Sequence, residues 1–328
     1  MTETLPQKTG VMIMIYEGQI CRAPMERASF MLPVMVGCSY GRCKFCNLFR
    51  HLAYRELPLS QVEDELRRVR DMNGRPRRIF LGDGNAFGLD AGHLEKVLDM
   101  IRGYFPQCEA VNMDATVTSI LMKSDEELAM LYQKGVRHLY IGIESGLDDV
   151  LAFMEKDHDM SQAYEAVNKI RLAGMIFDAH IMTGVAGAGR GAENAEALAA
   201  FLNSTSPRHV VNFSMFHHKE VPLYQHILDN TFRPADELEN LREERRLLEL
   251  LGTPDVQEGE PVIYDGFHDY IQFRVRGRLP VDRTQMLDKL KEAIRQYEHR
   301  SPVFSYVQGE CPHLEKCDGL QKVWNMQT

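Results

Sequence analysis

The sequence predicts an α/β fold, because short apolar runs alternate with amphipathic helical stretches six times between residues 30 and 215. Repeats of a strand followed by a helix make the strands parallel and join them by right-handed crossovers. Such repeats form either an open doubly wound sheet or a full or partial barrel. Polar and glycine-rich clusters follow the first, second, fourth and fifth strands, which is where a barrel would place a site.

Each element is predicted from its own pattern. The six strands are predicted at residues 30–36, 78–81, 110–115, 138–143, 177–185 and 209–215. The five intervening helices are predicted at residues 60–72, 94–104, 125–134, 162–172 and 192–202. In the first helix Val62, Leu66 and Val69 recur at helical spacing among charged residues, and the fourth ends before Gly174, a common C-terminal stop.

The strand–helix rhythm changes after about residue 230. Helices are predicted at 236–251 and 284–299, on either side of a stretch at 261–278 that reads as irregular and aromatic. We therefore expect a lead-in at residues 1–29, a core at 30–230, and a mainly helical extension at 231–328 that covers the core or shapes its substrate site.

Composition narrows the possible classes of protein. Of the 328 residues 44% are hydrophobic and 26% are charged, which is typical of a globular protein, and the net charge is −9. An acidic surface argues against nucleic-acid binding, because phosphate backbones select basic faces. The sequence contains neither an apolar run long enough to span a bilayer nor a signal-peptide pattern, so the expected location is cytoplasmic.

Three of the seven cysteines crowd together. Four residues separate Cys38 from Cys43, and two separate Cys43 from Cys46. Thiolates suit zinc or iron–sulfur irons, but a structural zinc site needs four ligands, and the only other cysteine pair, Cys311 and Cys317, lies at the far end of the chain. Three close cysteines suit a cubane cluster with one iron left open. Zinc binding and buried structural thiols remain the alternatives.

Three strand ends carry further candidates. The second strand ends in Gly82-Asp83-Gly84, where glycines permit close approach of a ligand, although ordinary turns also use these residues. The fourth strand ends in Gly-Ile-Glu-Ser-Gly at 142–146, where Glu144 either contacts a ligand or caps the next helix. The fifth strand contains His180, either a ligand-facing or a structural histidine, and continues into a glycine-rich turn that begins at Gly184.

Together these features resemble the radical S-adenosylmethionine (SAM) superfamily, and in particular its coproporphyrinogen-oxidase-like, methylthiotransferase-like and Elongator-like branches. The most common cysteine spacing in that family is three residues and then two, whereas this chain has four and then two, as some subgroups do. The aromatic Phe45 before the last cysteine also matches the family pattern. The resemblance implies a partial (β/α)6 TIM-like barrel that carries a [4Fe–4S] cluster on Cys38, Cys43 and Cys46.

The same resemblance implies the activity. SAM binds the open iron and is cleaved reductively, which starts radical chemistry on a substrate that the sequence does not identify. Reduced flavodoxin or ferredoxin is the expected electron donor. The alternative is a non-catalytic iron–sulfur or zinc protein that senses redox state or carries electrons. The residues to which the resemblance assigns SAM binding are Phe45, Gly82, Asp83, Gly84, Glu144, His180 and Gly184.

Other residues are secondary candidates. Cys311 and Cys317 are possible ligands of an auxiliary metal site with Cys21 as a third ligand, or else free thiols or a redox-sensitive disulfide. Cys108 is expected to be structural. The residues that either shape a substrate site or lie on the surface are His217, His218, Tyr264, Asp265, His268 and Asp269.

Overall fold

The computed structural model of the chain describes residue 17 and residues 21–252 and 261–307. The strands are β1 Phe30–Pro33, β2 Met35–Val36, β3 Arg55–Glu56, β4 Arg78–Gly82, β5 Ala110–Ala115, β6 Val136–Glu144, β7 Ile176–Thr183, β8 His209–Ser214, β9 His217–His218, β10 Val262–His268, β11 Phe273–Leu279 and β12 Tyr306–Val307. The helices are α1 Leu59–Asp71, α2 Ala91–Tyr104, α3 Val117–Leu121, α4 Asp125–Gln133, α5 Asp148–Phe153, α6 Met160–Leu172, α7 Gly191–Thr205, α8 Pro222–Leu228, α9 Glu237–Leu250 and α10 Arg283–Tyr297.

The main sheet has eight strands in the order β1-β4-β5-β6-β7-β8-β10-β11. All neighbouring pairs are parallel except the last, β10 with β11. The order follows the chain without reversal, so right-handed crossovers place the helices on one face of the sheet. A doubly wound sheet instead reverses its order at a switch point. The predicted α/β fold is therefore confirmed, and the strand order is of the TIM-like kind.

The two faces of the sheet differ in chemistry. Leu139 and Ile181 point to the helical side and belong to the main hydrophobic core, which contains residues from seven of the longer helices, α1, α2, α4, α6, α7, α9 and α10. We call the other side the inner face. It carries Phe80, Tyr140 and His180, whose rings contact one another across β4, β6 and β7. Aliphatic residues thus hold the layers together, and polar and aromatic residues remain for a site.

All predicted helices are present to within a few residues, because their apolar periodicity and caps are strong. The starts of α4 and α6 carry capping boxes, formed by Ser124 with Glu127 and by Asp159 with Gln162. The predicted first strand is divided into β1 and β2. No described helix has the length and apolarity that a membrane span requires.

The prediction of an irregular stretch at 261–278 was wrong. Residues 262–279 form the hairpin of β10 and β11, which extends the main sheet by pairing β10 in parallel with β8. Its alternation was obscured because both faces of β10 are buried: Tyr264 and Phe267 are 0% and 6% exposed. The chain beyond residue 230 is therefore less helical than expected, since two of its strands belong to the sheet.

Candidate active site

The three clustered cysteines lie in the loop after β2 and are free, partly buried thiols. The guanidinium of Arg50 organises this loop by donating to the carbonyl oxygens of Cys46 at 2.9 Å, Cys43 at 2.7 Å and Arg42 at 3.2 Å. Burial, partly offset by Lys156 and reinforced by the nearby thiol of Cys46, raises the pKa of Cys43 to about 11. The loop therefore holds neighbouring thiols that must lose protons before they bind a metal.

The spacing of these thiols does not suit a single ion. Among the described residues, the group of three ligand atoms that lie within 4.8 Å of one another is formed by other side chains. Zinc at about 2.3 Å from each thiolate would bring the three sulfurs within about 4 Å of one another. A cubane holds its cysteines at separate irons and so requires a wider arrangement. The three thiols are therefore not gathered as closely as the ligands of one zinc ion would be.

The cysteine loop is anchored to the segment that follows α5. The amide of Lys44 donates to the carbonyl oxygen of Met154 at 3.0 Å, and the hydroxyl of Tyr40 donates to the carbonyl oxygen of Glu155 at 2.6 Å. Phe45, a predicted cofactor contact, is partly buried against a small hydrophobic cluster that includes Met154. These contacts place the loop beside the carboxyl end of β6.

The turn after β4 touches the cysteine loop directly. Gly84 has a φ of +54°, and a Cβ there would lie 2.5 Å from the carbonyl oxygen of Gly37 and 3.1 Å from Cα of Cys38. Only glycine combines this backbone conformation with such close approach. Gly82 also has no room for a side chain, because a Cβ there would lie 2.4 Å from Cε of Met31. The predicted turn and the predicted cluster loop are therefore one unit.

Asp83, between these glycines, is 2% exposed. Its Oδ1 has no hydrogen-bond partner in the described part of the chain, and burial raises the pKa of its carboxyl to about 6. The next residue, Asn85, was not predicted as a site residue. Its amide donates to the hydroxyls of Ser39 at 3.3 Å and Thr116 at 3.1 Å, so it ties the cysteine loop to the end of β5. A buried carboxylate oxygen without a partner is what a cationic ligand would occupy.

Glu144 ends β6 with a φ of 64°, a conformation that costs a non-glycine residue about 1–3 kcal/mol and is often found at functional sites. Its Oε1 lies 3.4 Å from Nζ of Lys156, and the side chains are 13% and 7% exposed. Burial alone lowers the pKa of Lys156, but Cys43, Glu144 and Asp157 together hold it above its ordinary value. The sequence analysis missed this cation, because nothing in the local pattern shows that a lysine is buried.

His180 and Gly184 lie on and just beyond β7. The His180 ring lies between Tyr140, at 5.7 Å, and Phe213, at 6.2 Å between ring centroids. Burial lowers its pKa to about 4, so the ring is neutral, and Nε2 has no partner among the described groups. Gly184 has a φ of +83°, and its amide donates to Glu243 on α9 at 2.9 Å. His180 therefore lies on the inner face of the sheet, and Gly184 lies at the carboxyl end of the strands, as the cysteine loop does.

Two further titratable groups lie on this side: Asp114, which was not predicted, and Cys21, which was predicted only as a possible third ligand of an auxiliary metal site. Asp114 on β5 has an Oδ1 without a partner in the described residues, and burial, then Glu26, then Asp83 raise its pKa to about 8. Burial, followed by Asp114 and Asp83, raises the pKa of the Cys21 thiol to about 12. The sequence left Cys21 unplaced, and the structure places it near the carboxylates that line the site.

The secondary candidates have different environments. His268 is fully buried between Glu237, at 2.8 Å, and Glu244, at 3.0 Å, so it is an internal brace rather than a surface or substrate-facing residue. Cys108 is partly buried beside the core and donates to the carbonyl oxygen of Ala110 at 3.5 Å, away from the other thiols. Cys311 and Cys317 lie outside the described residues.

The assembled residues fit an iron–sulfur cluster with a small zwitterionic ligand beside it. Soft thiol donors are present, and a glycine turn without room for a Cβ packs against them. The buried carboxyl group of Asp83 and the partly buried carboxyl group of Glu144 lie beside the loop. Such a site can hold a redox centre and orient an amino-acid ligand by charge and backbone contacts.

Comparison with known families agrees with this chemistry. Residues 32–202, just over half of the chain, match the family model of the radical SAM superfamily. The matched range contains the cysteine loop and the carboxyl ends of β4, β5, β6 and β7. It does not contain the lead-in to β1. It stops before β8, α9 and the β10–β11 hairpin.

Individual relatives are distant. The chain is 25% identical over 146 residues to a probable threonylcarbamoyladenosine tRNA methylthiotransferase of Methanothermobacter thermautotrophicus. The aligned region covers 43% of this chain and 34% of the relative. The chain thus spans about a third of that curated relative. Among solved structures, the methyltransferase TsrM of Kitasatospora setae has a TM-score of 0.51 at 16% identity, over 62% of this chain and 39% of TsrM. Elp3 of Methanocaldococcus infernus has a TM-score of 0.49 at 16% identity, over 83% and 64% of the two chains.

Proposed function

The chain belongs to the radical SAM superfamily, and we propose that it cleaves SAM reductively at a [4Fe–4S] cluster held by Cys38, Cys43 and Cys46. Members of this family are enzymes that bind such a cluster and SAM, which argues against a purely electron-carrying role. The observation that supports the proposal is the close approach of Gly84 to the cysteine loop, next to the carboxyl group of Asp83, whose Oδ1 has no partner among the described residues.

When bound, the cluster supplies the electron that cleaves SAM to a 5′-deoxyadenosyl radical, which takes a hydrogen atom from substrate. The chain prepares the thiols for this group. Arg50 holds the carbonyl oxygens of the loop in place. Lys156 lowers the pKa of Cys43 against the effect of burial, and so favours the thiolate that a metal ligand must be. Lys156 is therefore a positioning and charge-balancing residue.

The SAM contacts follow from charge and space. We assign the buried carboxyl group of Asp83 and the partly buried carboxyl group of Glu144 to the cationic end of SAM. Gly82 and Gly84 supply backbone at close range, and Gly184 supplies a further stretch of glycine backbone at the end of β7. Neutral His180 and partly buried Phe45 offer flat or apolar contacts to the adenosyl part.

Residues 231–307 also contact this arrangement. Glu243 on α9 accepts hydrogen bonds from the Gly184 amide at 2.9 Å and the Asn194 side chain at 2.7 Å. Burial raises the pKa of its carboxyl to about 7. The extension thus fixes the turn after β7, and we propose that it also shapes the substrate site. Enzymes of this family require an electron donor, for which we propose reduced flavodoxin or ferredoxin.

The test is anaerobic reconstitution with iron and sulfide, followed by reduction in the presence of SAM. We expect a [4Fe–4S] electron paramagnetic resonance signal that changes when SAM is added, and formation of 5′-deoxyadenosine. Cys38→Ala, Cys43→Ala and Cys46→Ala should each lose both the signal and the product. Cys108→Ala is the matched control and should keep both, because Cys108 bonds to Ala110 away from the loop.

The SAM assignment has its own test. Glu144→Gln should retain iron but bind SAM about ten- to a hundredfold more weakly, because a hydrogen bond to a charged group contributes about 1.5–3 kcal/mol. Glu155→Gln is the control, since Glu155 is exposed and pairs only loosely with Lys44 at 3.5 Å. Tetrahedral zinc without iron in the anaerobically purified protein would contradict the whole proposal.

A further inference from the structure

A second group of metal-ligand side chains lies on the inner face near the amino ends of three adjacent strands. His138 on β6, Asp178 on β7 and His209 on β8 present ligand atoms that all lie within 4.8 Å of one another. Nδ1 of His138 is 2.6 Å from Oδ2 of Asp178, and Nδ1 of His209 is 2.8 Å from Oδ1. Glu144 lies six positions after His138 along β6, or about 20 Å of strand, so this group is distinct from the candidate active site.

The surroundings are rich in buried negative charge. Asp178 is 0% exposed, and its partners are the two imidazoles and the amide of His209 at 3.0 Å. Glu26, 1% exposed, accepts hydrogen bonds from neutral groups that include the hydroxyl of Tyr140 at 2.6 Å. Burial raises the pKa of Tyr140, and Asp178, Glu26 and Asp114 raise it further, so these three carboxyl groups lie around one ring. Hydrogen bonds reach Asp178 and Glu26, whereas Oδ1 of Asp114 has no partner among the described residues.

We propose that His138, Asp178 and His209 bind a divalent first-row metal ion of the zinc class. Two imidazole nitrogens and one carboxylate oxygen are a known ligand set for zinc with one position left open, and the same donors also suit iron(II). Each imidazole can ligate through Nδ1 once that nitrogen gives up its contact with Asp178 and the ring proton resides on Nε2. The inference does not depend on SAM cleavage, because it uses none of the residues assigned to that reaction.

The ligands are prepared for a cation. Asp178 is fully buried, and each of its two carboxylate oxygens faces the Nδ1 atom of one imidazole. The side chains of His138 and His209 are 22% and 13% exposed, which leaves an approach for the ion and a water ligand. A bound ion would join β6, β7 and β8 and offset the buried charge beneath the active site.

Zinc uptake by the reconstituted holoenzyme tests the proposal. The full chain is dialysed anaerobically against zinc, and zinc and iron per chain are measured by mass spectrometry. Wild type should bind about one zinc more than the His138→Gln/His209→Gln variant at equal iron content. His299→Gln, which alters an exposed histidine on the same chain, should bind as much zinc as wild type. Comparison at equal iron removes the contribution of the cysteine thiols, which all three proteins share.

Equal zinc uptake by wild type and the double variant would overturn the proposal. Should the double variant fail to fold, the melting temperature of the wild-type holoenzyme gives a second measurement. A ligand that binds only the folded state raises this temperature as its concentration rises. A melting temperature that does not change with zinc would equally rule out the site.

Discussion

Asp83→Asn should change stability and SAM binding in opposite directions. Asp83 is 2% exposed, and its Oδ1 has no partner in the described chain. Asparagine has nearly the same shape but carries no charge. If the carboxylate is retained for a cationic ligand, its removal should help the ligand-free protein and harm the complex.

The size of the gain follows from the pKa. Burial raises the pKa of Asp83 from 3.8 to about 6. One pKa unit corresponds to about 1.4 kcal/mol, so ionisation at neutral pH destabilises the folded state by roughly 3 kcal/mol. Between these two pKa values the folded protein holds a proton that the unfolded chain has lost, so this contribution to stability falls as pH rises. The advantage of asparagine should therefore be largest above about pH 6 and vanish towards about pH 4.

The assays separate the two effects. Urea denaturation of the apoprotein, followed by far-ultraviolet circular dichroism, should show Asp83→Asn to be more stable than wild type by up to about 3 kcal/mol at neutral pH. Titration of the cluster-loaded variant should show SAM affinity about ten- to a hundredfold lower. Asp288→Asn, an exposed change on α10, should alter neither quantity.

Three results would refute the reasoning. A variant less stable than wild type at neutral pH would show that the carboxylate is satisfied within the fold. Unchanged SAM affinity would show that Asp83 is a turn residue and not a ligand. A stability difference that is constant with pH would also contradict the assigned cause, because only the ionised form of Asp83 carries the cost.

Two further substitutions and one pH dependence have defined outcomes. Lys156→Met should lower the free energy of unfolding, measured by urea denaturation, by about 3–5 kcal/mol, because it leaves Glu144 without its partner 3.4 Å away. If the effects of Lys156→Met and Glu144→Gln simply add in the double variant, the two side chains are not paired. Gly184→Ala should lower both the melting temperature and the SAM affinity, because the φ of residue 184 is +83° and the new Cβ would lie 2.6 Å from a side-chain amide on α9. Gly103→Ala is the control: its Cβ would meet nothing within 4 Å, so it should be neutral or stabilising. The two glutamates beside His268 outweigh the effect of burial and raise the pKa of His268 from 6.5 to about 10. Its contribution to stability should therefore be complete below about pH 6.5 and decline as the pH rises towards 10, which thermal melts across this range will measure.

Local patterns were sufficient for most of the fold. Helices such as α1 and α6 were predicted because their apolar residues recur every three or four positions, a signal that no other structure produces. The β10–β11 hairpin was missed because both faces of β10 are buried, so its alternation of apolar and polar residues is weak. Its place in the sheet depends on pairing with β8, which lies far away in sequence.

The sequence by itself determined the cysteine spacing, the glycine turns and the order of strand ends, because these features depend on neighbouring residues. Only the tertiary structure decided which buried side chains share a space. It placed Lys156 beside Glu144, Asn85 between the cysteine loop and β5, and the carboxylate of Asp178 between two imidazoles. The physical reason is that charge and hydrogen bonding act over a few ångströms in space, and strands that are distant in sequence set those distances.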